Sequence, residues 1–301
     1  MKIPYRFLFL SLVLTPMVNS QIRLQAMAEK PRVALLPFDK FRFSGSKSLS
    51  DEEAVGLVDA AYSQCTNTFV NLKRLTVLER SSIDKLIKEQ NFQVSELSNS
   101  NKAVSLGQFL GAQIVADMQI QSVTVKKDGD NFRAEVEMQI KLISVENGKL
   151  FVSTNLSKKG KSDKKQGSKL DAAMNALDKM EDELADLLRE NFPIEANLIK
   201  RVPSKDEKDV MVLINCGSNM GIEPKDKFYI LEKESITVGD ITDTREIRRG
   251  LAKVVSLEPD GKYCIAKVKR GKKYTRTMLS SGQEIKVLTA PAIEPEEEKE
   301  D

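Results

Sequence analysis

The chain has 301 residues, 41% hydrophobic and 30% charged, with 47 Lys and Arg against 44 Asp and Glu for a formal net charge of +3. This excludes a globally disordered polyelectrolyte and offers no basic excess for a wholesale nucleic-acid binder, while the length suffices for one large domain or two ordinary ones. Histidine and tryptophan are absent from the sequence, which removes imidazole acid–base chemistry, Ser–His and Cys–His nucleophiles and imidazole zinc sites.

Lys2 and Arg6 precede an apolar run over residues 7–14, followed by Pro16 and small residues. The run is too short for a membrane anchor and has the layout of an export signal, expected over residues 1–28. Cleavage fits after Ser20, or after Ala28, where Ala26-Met27-Ala28 supplies the preferred A-x-A form. No cysteine near either point would accept a lipid, so a periplasmic chain is expected, associated with the outer membrane only peripherally. Cys65, Cys216 and Cys264 are widely spaced and read as small buried hydrophobes. A Cys216–Cys264 disulfide stays open, since sequence does not fix their separation.

Residues 33–38 (VALLPF) suit a strand covered on both faces. Ser50 with Glu53 forms a capping box, and Ala54, Leu57, Val58, Ala61 and Cys65 recur at helical spacing. Leu75, Val77 and Leu78 make a strand, after which Ser81 or Ser82 is expected to cap a helix carrying Ile83, Leu86 and Ile87. Ala103, Leu106, Phe109 and Leu110 predict a short helix stopped at Gly111. From Ile114 the period becomes two, giving antiparallel strands on either side of Asp128-Gly129-Asp130-Asn131. That acidic turn lacks the spacing of a calcium loop and reads as a hairpin. Asn147-Gly148 leads to a third strand, and residues 158–168 are expected to be a flexible basic link. Ser168 and Asp171 then cap a single helix with a stripe from Leu170 to Leu188, closed by Pro193.

Past a polar linker at residues 196–209, short strands are expected at 210–215, 228–232, 250–257, 263–268 and 284–288. They suffice for a small β-barrel or sandwich over residues 210–290. Residues 291–301 form an acidic tail, expected to be disordered.

The strand VALLPF, the segment LTVLERSSIDKLIKEQ, Leu106-Gly107 with Leu110-Gly111-Ala112-Gln113, and the turn at Asn147-Gly148 together resemble the CsgG/HfaB curli-secretion family over about residues 31–192. That resemblance implies an α+β or α/β fold, a TolB N-terminal-like (anticodon-binding-domain-like) mixed sheet covered by helices, here spanning residues 29–195. Related folds occur in FlgT and in LpoB, the lipoprotein activator of a penicillin-binding protein. The segment from Asn215 to Phe228 resembles the opening of the C-terminal β module of FlgT. In the curli channel, inserted hairpins build a membrane barrel; the matching slots here, residues 126–131 and 158–168, are too short for membrane strands, which need about 9–11 residues each. The second slot also carries Lys158, Lys159, Lys161, Lys164 and Lys165.

By that resemblance Glu79 and Arg80 form a structural joint, with Gly107 and Gly111 as backbone-approach or helix-end positions. No catalytic, cofactor-binding or metal-ligating set emerges. A patch of Lys267, Lys269, Arg270, Lys272, Lys273 and Arg276 around Tyr274 is a candidate anionic-surface binder, or more simply a solvated strand end. The leading expectation is a non-enzymatic periplasmic scaffold or assembly factor of the CsgG/FlgT type, partnering envelope proteins and itself as a homo-oligomer, touching outer membrane or peptidoglycan peripherally and binding no nucleic acid. The alternative is an LpoB-like regulator of a cell-wall synthase.

Overall fold

The computed structural model describes residues 22–26, 28–38, 49–162, 167–204, 206–238 and 241–291. The apolar run at residues 7–14, Lys164, Lys165 and residues 292–301 of the expected acidic tail lie outside the described residues.

A short β1 (Leu24–Gln25) precedes β2 (Arg32–Leu35), and Ser50 opens α1 (Asp51–Asn71) through a reciprocal capping box with Glu53. Then follow β3 (Thr76–Val77), α2 (Arg80–Glu89), a 3-10 turn (Val94–Ser98) and α3 (Ser100–Leu110). Three long antiparallel strands come next: β4 (Ile114–Asp128), β5 (Asn131–Ser144) and β6 (Leu150–Lys161). The sheet order is β3-β2-β4-β5-β6, with β2 parallel to both β3 and β4. It is therefore mixed.

Period-two patterning sorts its side chains into two layers. Val33 and Leu35 of β2 join one core with Leu57, Ala61 and Cys65 of α1, whereas Ala34 and Leu36 join the other with Ile83 of α2 and Leu106 of α3. Phe109, expected in the apolar face of α3, is 61% exposed.

The stripe expected as one helix is two: α4 (Lys169–Asp178) and α5 (Glu181–Asn191). At the break, Gln64 donates from Nε2 to the Leu177 carbonyl at 3.0 Å, and the Met180 amide bonds that same carbonyl at 2.8 Å in the i→i−3 spacing of a tightened turn. The Leu177 and Leu184 side chains remain in the core all the same.

Residues 158–168 also depart from the expected link, because Lys158, Lys159 and Lys161 belong to β6. Between them Gly160 lets the strand run against α4: a Cβ there would meet the Ala172 carbonyl oxygen at 2.2 Å. At the other slot the chain reverses tightly, Asp128 pairing with Asn131 while Gly129 takes φ 63°.

The second half is a barrel. The strands β7 (Ile194–Val202), β8 (Met211–Ile214), β9 (Lys227–Val238), β10 (Ile241–Leu257), β11 (Cys264–Arg270) and β12 (Ile285–Thr289) close in the order β7-β12-β9-β10-β11-β8-β7, every pair antiparallel. β7 occupies part of the segment 196–209 expected as a linker: Ile194, Ala196 and Leu198 alternate inward, so the residues join the core that a linker would leave exposed. β1 adds to the barrel in parallel, Leu24 beside Ile194.

The barrel and the α1 side of the sheet share one hydrophobic cluster. They meet where Gly221, at φ 72°, approaches the Leu72 carbonyl so closely that a Cβ would lie 2.0 Å from its oxygen. A further helix, α6 (Lys272–Ser280), follows β11 where the sequence suggested a strand end. All three cysteines are free and buried, and burial pushes each thiol up to about 12. They are inert packing groups.

Candidate functional site

The joint marked by the opening of α2 is built from α1 and α2 together. Glu79 sits at the N-cap position in extended backbone without a side-chain capping bond; its Oε2 accepts from the Ser81 hydroxyl at 3.4 Å. Neither Ser81 nor Ser82 is the cap, because Arg80 already stands in the first helical turn. Arg80 lays its guanidinium 4.4 Å from the centre of the Tyr62 ring of α1, and its Nε lies 3.5 Å from Asp84. The arginine thus stacks one helix on the other.

Gly107 packs α3 onto the sheet, where a Cβ would come within 2.7 Å of methyl groups of both Val115 and Val145. Gly111 ends the same helix in the left-handed conformation at φ 63°.

The basic patch is drawn inward more than its composition suggested. Lys267 reaches Asp209 at 2.5 Å and Lys272 reaches it at 3.7 Å; Arg276 donates to the Glu207 and Lys208 carbonyls at 3.3 and 3.4 Å. These side chains fasten the turn before β8 to α6 and β11. The hydrogen bond from Lys267 holds the Asp209 carboxyl below its usual range. Lys269, Arg270 and Lys273 face outward. The Asp128 turn behaves similarly, since Arg133 at 2.7 Å and Lys161 at 3.3 Å occupy its carboxylate. Among the described residues no cluster of His, Cys, Asp or Glu could hold a metal ion.

A cleft of about 650 Å³ lies between the segment before β2 and the β5–β6 turn, walled by Ile22, Pro31, Ile114 and Phe151, with Glu29, Lys30, Glu146 and Lys149 among its polar groups. Burial, helped by the charge of Lys73, holds Lys30 below the usual lysine range, and its Nζ donates to the Asn219 carbonyl at 2.7 Å. Asn147 shapes the rim by accepting the Lys149 amide at 2.9 Å. The turn was legible in Asn147-Gly148; the cleft was not, because residues 22–31 are remote from it in sequence.

Comparison with known proteins gives a family model, the peptidoglycan-synthase activator LpoB, matching residues 58–156. Solved structures that resemble the chain include lipoprotein GNA1162 from Neisseria meningitidis, at 12% identity and TM-score 0.37, covering 53% of this chain and 99% of that one. A PelC dodecamer from Paraburkholderia phytofirmans gives 16% identity and TM-score 0.33 over 53% of this chain and 92% of that one. The LpoB C-terminal domain from Salmonella enterica gives 14% identity and TM-score 0.25 over 44% and 86%. These superpositions are too loose to carry function. No curated protein matches the chain. The resemblance to the CsgG/HfaB curli-secretion family is corrected accordingly: the motifs on which it rested fall largely within the stretch that matches the LpoB activator model.

Proposed function

We propose that this chain is a non-enzymatic envelope protein that docks on a cell-wall synthase and regulates it. The observation that carries the reading is the match of residues 58–156 to the peptidoglycan-synthase activator model. It falls on most of α1, on α2 and α3, and on β4, β5 and the start of β6, which places the β5–β6 rim of the cleft inside it. The regulator reading takes precedence over the assembly scaffold, which rested on the corrected family resemblance. Homo-oligomerisation and peripheral contact with the outer membrane stay part of this proposal. We read the sheet half as TolB N-terminal-like on its mixed strand order, and the chain as a sheet unit followed by a barrel unit whose boundary moves to just before Ile194, where β7 begins.

The test is reconstitution. Purified protein added to a purified peptidoglycan synthase of the same organism should raise the rate of glycan polymerisation or cross-linking and co-elute with the enzyme. Lys149→Glu combined with Glu146→Lys, both on the rim of the cleft, should weaken both effects about tenfold or more, the range expected when interface contacts are lost. Neither activation nor co-elution with any of the organism's synthases would overturn the reading.

A further inference from the structure

A second, smaller cleft of about 250 Å³ lies between the end of α5 and the barrel, lined by residues including Arg74, Arg189, Glu223, Lys225, Asp226 and Lys227. Its back wall is Arg74, which stands between α1 and β3 and is only 2% exposed. Nη1 donates 2.8 Å bonds to the carbonyls of both Arg189 and Phe192, closing the C-terminal end of α5. The Nε–H of the same guanidinium has no hydrogen-bond partner.

Burying a donor without a partner costs about 1–3 kcal/mol, and more when the group is charged. Among the described residues no carboxylate forms an ion pair with Arg74; Asp226 acts on it only across space. Asp226 is itself engaged, accepting the Glu223 amide at 2.9 Å, and burial lifts its carboxyl above the usual range. Arg189 is partly met by Asp186 at 3.1 Å. Desolvation holds the Arg74 guanidinium down at about 10, so it stays charged at neutral pH.

The mouth of the cleft is equally specific. Lys225 lies on it at φ 83°, a left-handed conformation that side-chain-bearing residues rarely adopt. Its neighbours fix it there: the Lys225 amide donates to the Val254 carbonyl at 3.0 Å, and the Val254 amide to the Asp226 carbonyl at 2.8 Å.

We propose that this cleft binds one small oxyanion, a carboxylate or a phosphate group, between the buried Arg74 on one side and Arg189, Lys225 and Lys227 on the other. Four cations against Glu223 and Asp226 set the sign of the ligand, and the planar guanidinium matches the flat face of a carboxylate or two phosphate oxygens. The volume admits a single anionic group on a short stem and no polymer. This inference stands on the geometry of the cleft alone and is independent of the regulatory reading.

Isothermal titration of the full chain with inorganic phosphate, with acetate and with chloride tests it. Saturable binding of phosphate, of acetate or of both at one site per chain, with chloride silent, is the expected result, and the pattern tells which oxyanion the site takes. Arg74→Ala risks unfolding, so Lys225→Gly and Arg189→Gln serve as variants. The glycine relaxes the strained backbone while removing a charge, so it should keep or raise thermal stability and still weaken anion binding about tenfold, the loss expected for one charge-assisted contact. Absence of saturable binding by the unaltered chain, or unchanged affinity in both variants, overturns the proposal.

Discussion

Arg80 shows how a residue that draws attention in sequence acts through packing. Its guanidinium covers the buried Tyr62 ring at 4.4 Å and pairs with Asp84 at the surface, contacts that contribute about 0.5–1 kcal/mol each for a half-exposed cation. Arg80→Ala should therefore lower unfolding stability by about 1 kcal/mol in urea titrations and leave the proposed synthase activation intact. A loss of activation at unchanged stability would move Arg80 from the joint to the docking surface. Glu195 makes a different kind of contact: buried in β7, it accepts Lys286 Nζ at 2.6 Å. Burial by itself would raise this carboxyl, but the Lys286 hydrogen bond and charge prevail and lower it below 4.5. A carboxyl depressed in the folded state stabilises the protein above its unfolded value and loses that contribution as pH falls through the folded one. Acid titration of the unfolding free energy should thus show a decline beginning near pH 4.5 that is shallower in Glu195→Gln.

At the scale of elements, the contact between β6 and α4 is the most demanding. Gly160 faces the backbone of Ala172 and Ala176 at distances a Cβ cannot share, 2.2 and 2.4 Å. Neither is a side-chain end that could swing aside. Gly160→Ala should force α4 away from the strand and cost about 1–3 kcal/mol or more, the range of overpacked cores, read as a lowered midpoint in denaturant. Leu177→Asp, at a side chain 2% exposed in the same helix, should be worse, since an unpaired buried carboxylate consumes several kcal/mol of a total near 5–15. A substituted Gly160 that left the midpoint in place would mean that β6 and α4 are not in contact in solution.

For the whole molecule, the position of the amino-terminal segment matters most. Leu24 is 4% exposed and β1 pairs with β7, while Arg23 reaches Glu246 of β10 at 2.6 Å. Cleavage after Ala28, the expected choice, would discard this strand; cleavage after Ser20 would keep it. Mass spectrometry of the protein isolated from cells should therefore find Leu24 retained, and a shortened chain beginning at Glu29 should be less stable by about 1.5–3 kcal/mol, the contribution of one buried leucine. An isolated protein beginning at Glu29 with undiminished stability would show that β1 is dispensable. The β9–β10 arm bears on the membrane question as well. Beyond the ring it pairs Glu234 with Arg245 and Lys233 with Glu246 across the strands, so its faces carry charge where a lipid-facing hairpin would need an apolar band.

Much of this architecture was written locally. The apolar run of β2, the capping boxes at Ser50 and Ser168, the alternation of β4 and β5 and the left-handed turns at Gly129 and Gly148 each depend on residues within a few positions of one another, and short-range backbone and hydrogen-bond physics settles them. Helix α6 was missed because Tyr274, Met278 and Leu279 are a sparse apolar set amid charges, and only burial against the barrel reveals their common face. The single stripe after Ser168 became two helices at a tightened turn onto the Leu177 carbonyl, which Gln64, far away in the chain, also contacts. The linker became β7 once β8 and β12 could flank it. Both clefts belong to this second class: Arg74 reads as an ordinary polar residue between α1 and β3, and only the arrival of α5 and the barrel removes it from water and leaves its Nε without a partner. Local sequence determined the elements and their inward faces, whereas ring closure, helix breaks and buried charge depend on which distant segments compete for the same donors, acceptors and space, and tertiary structure alone decided them.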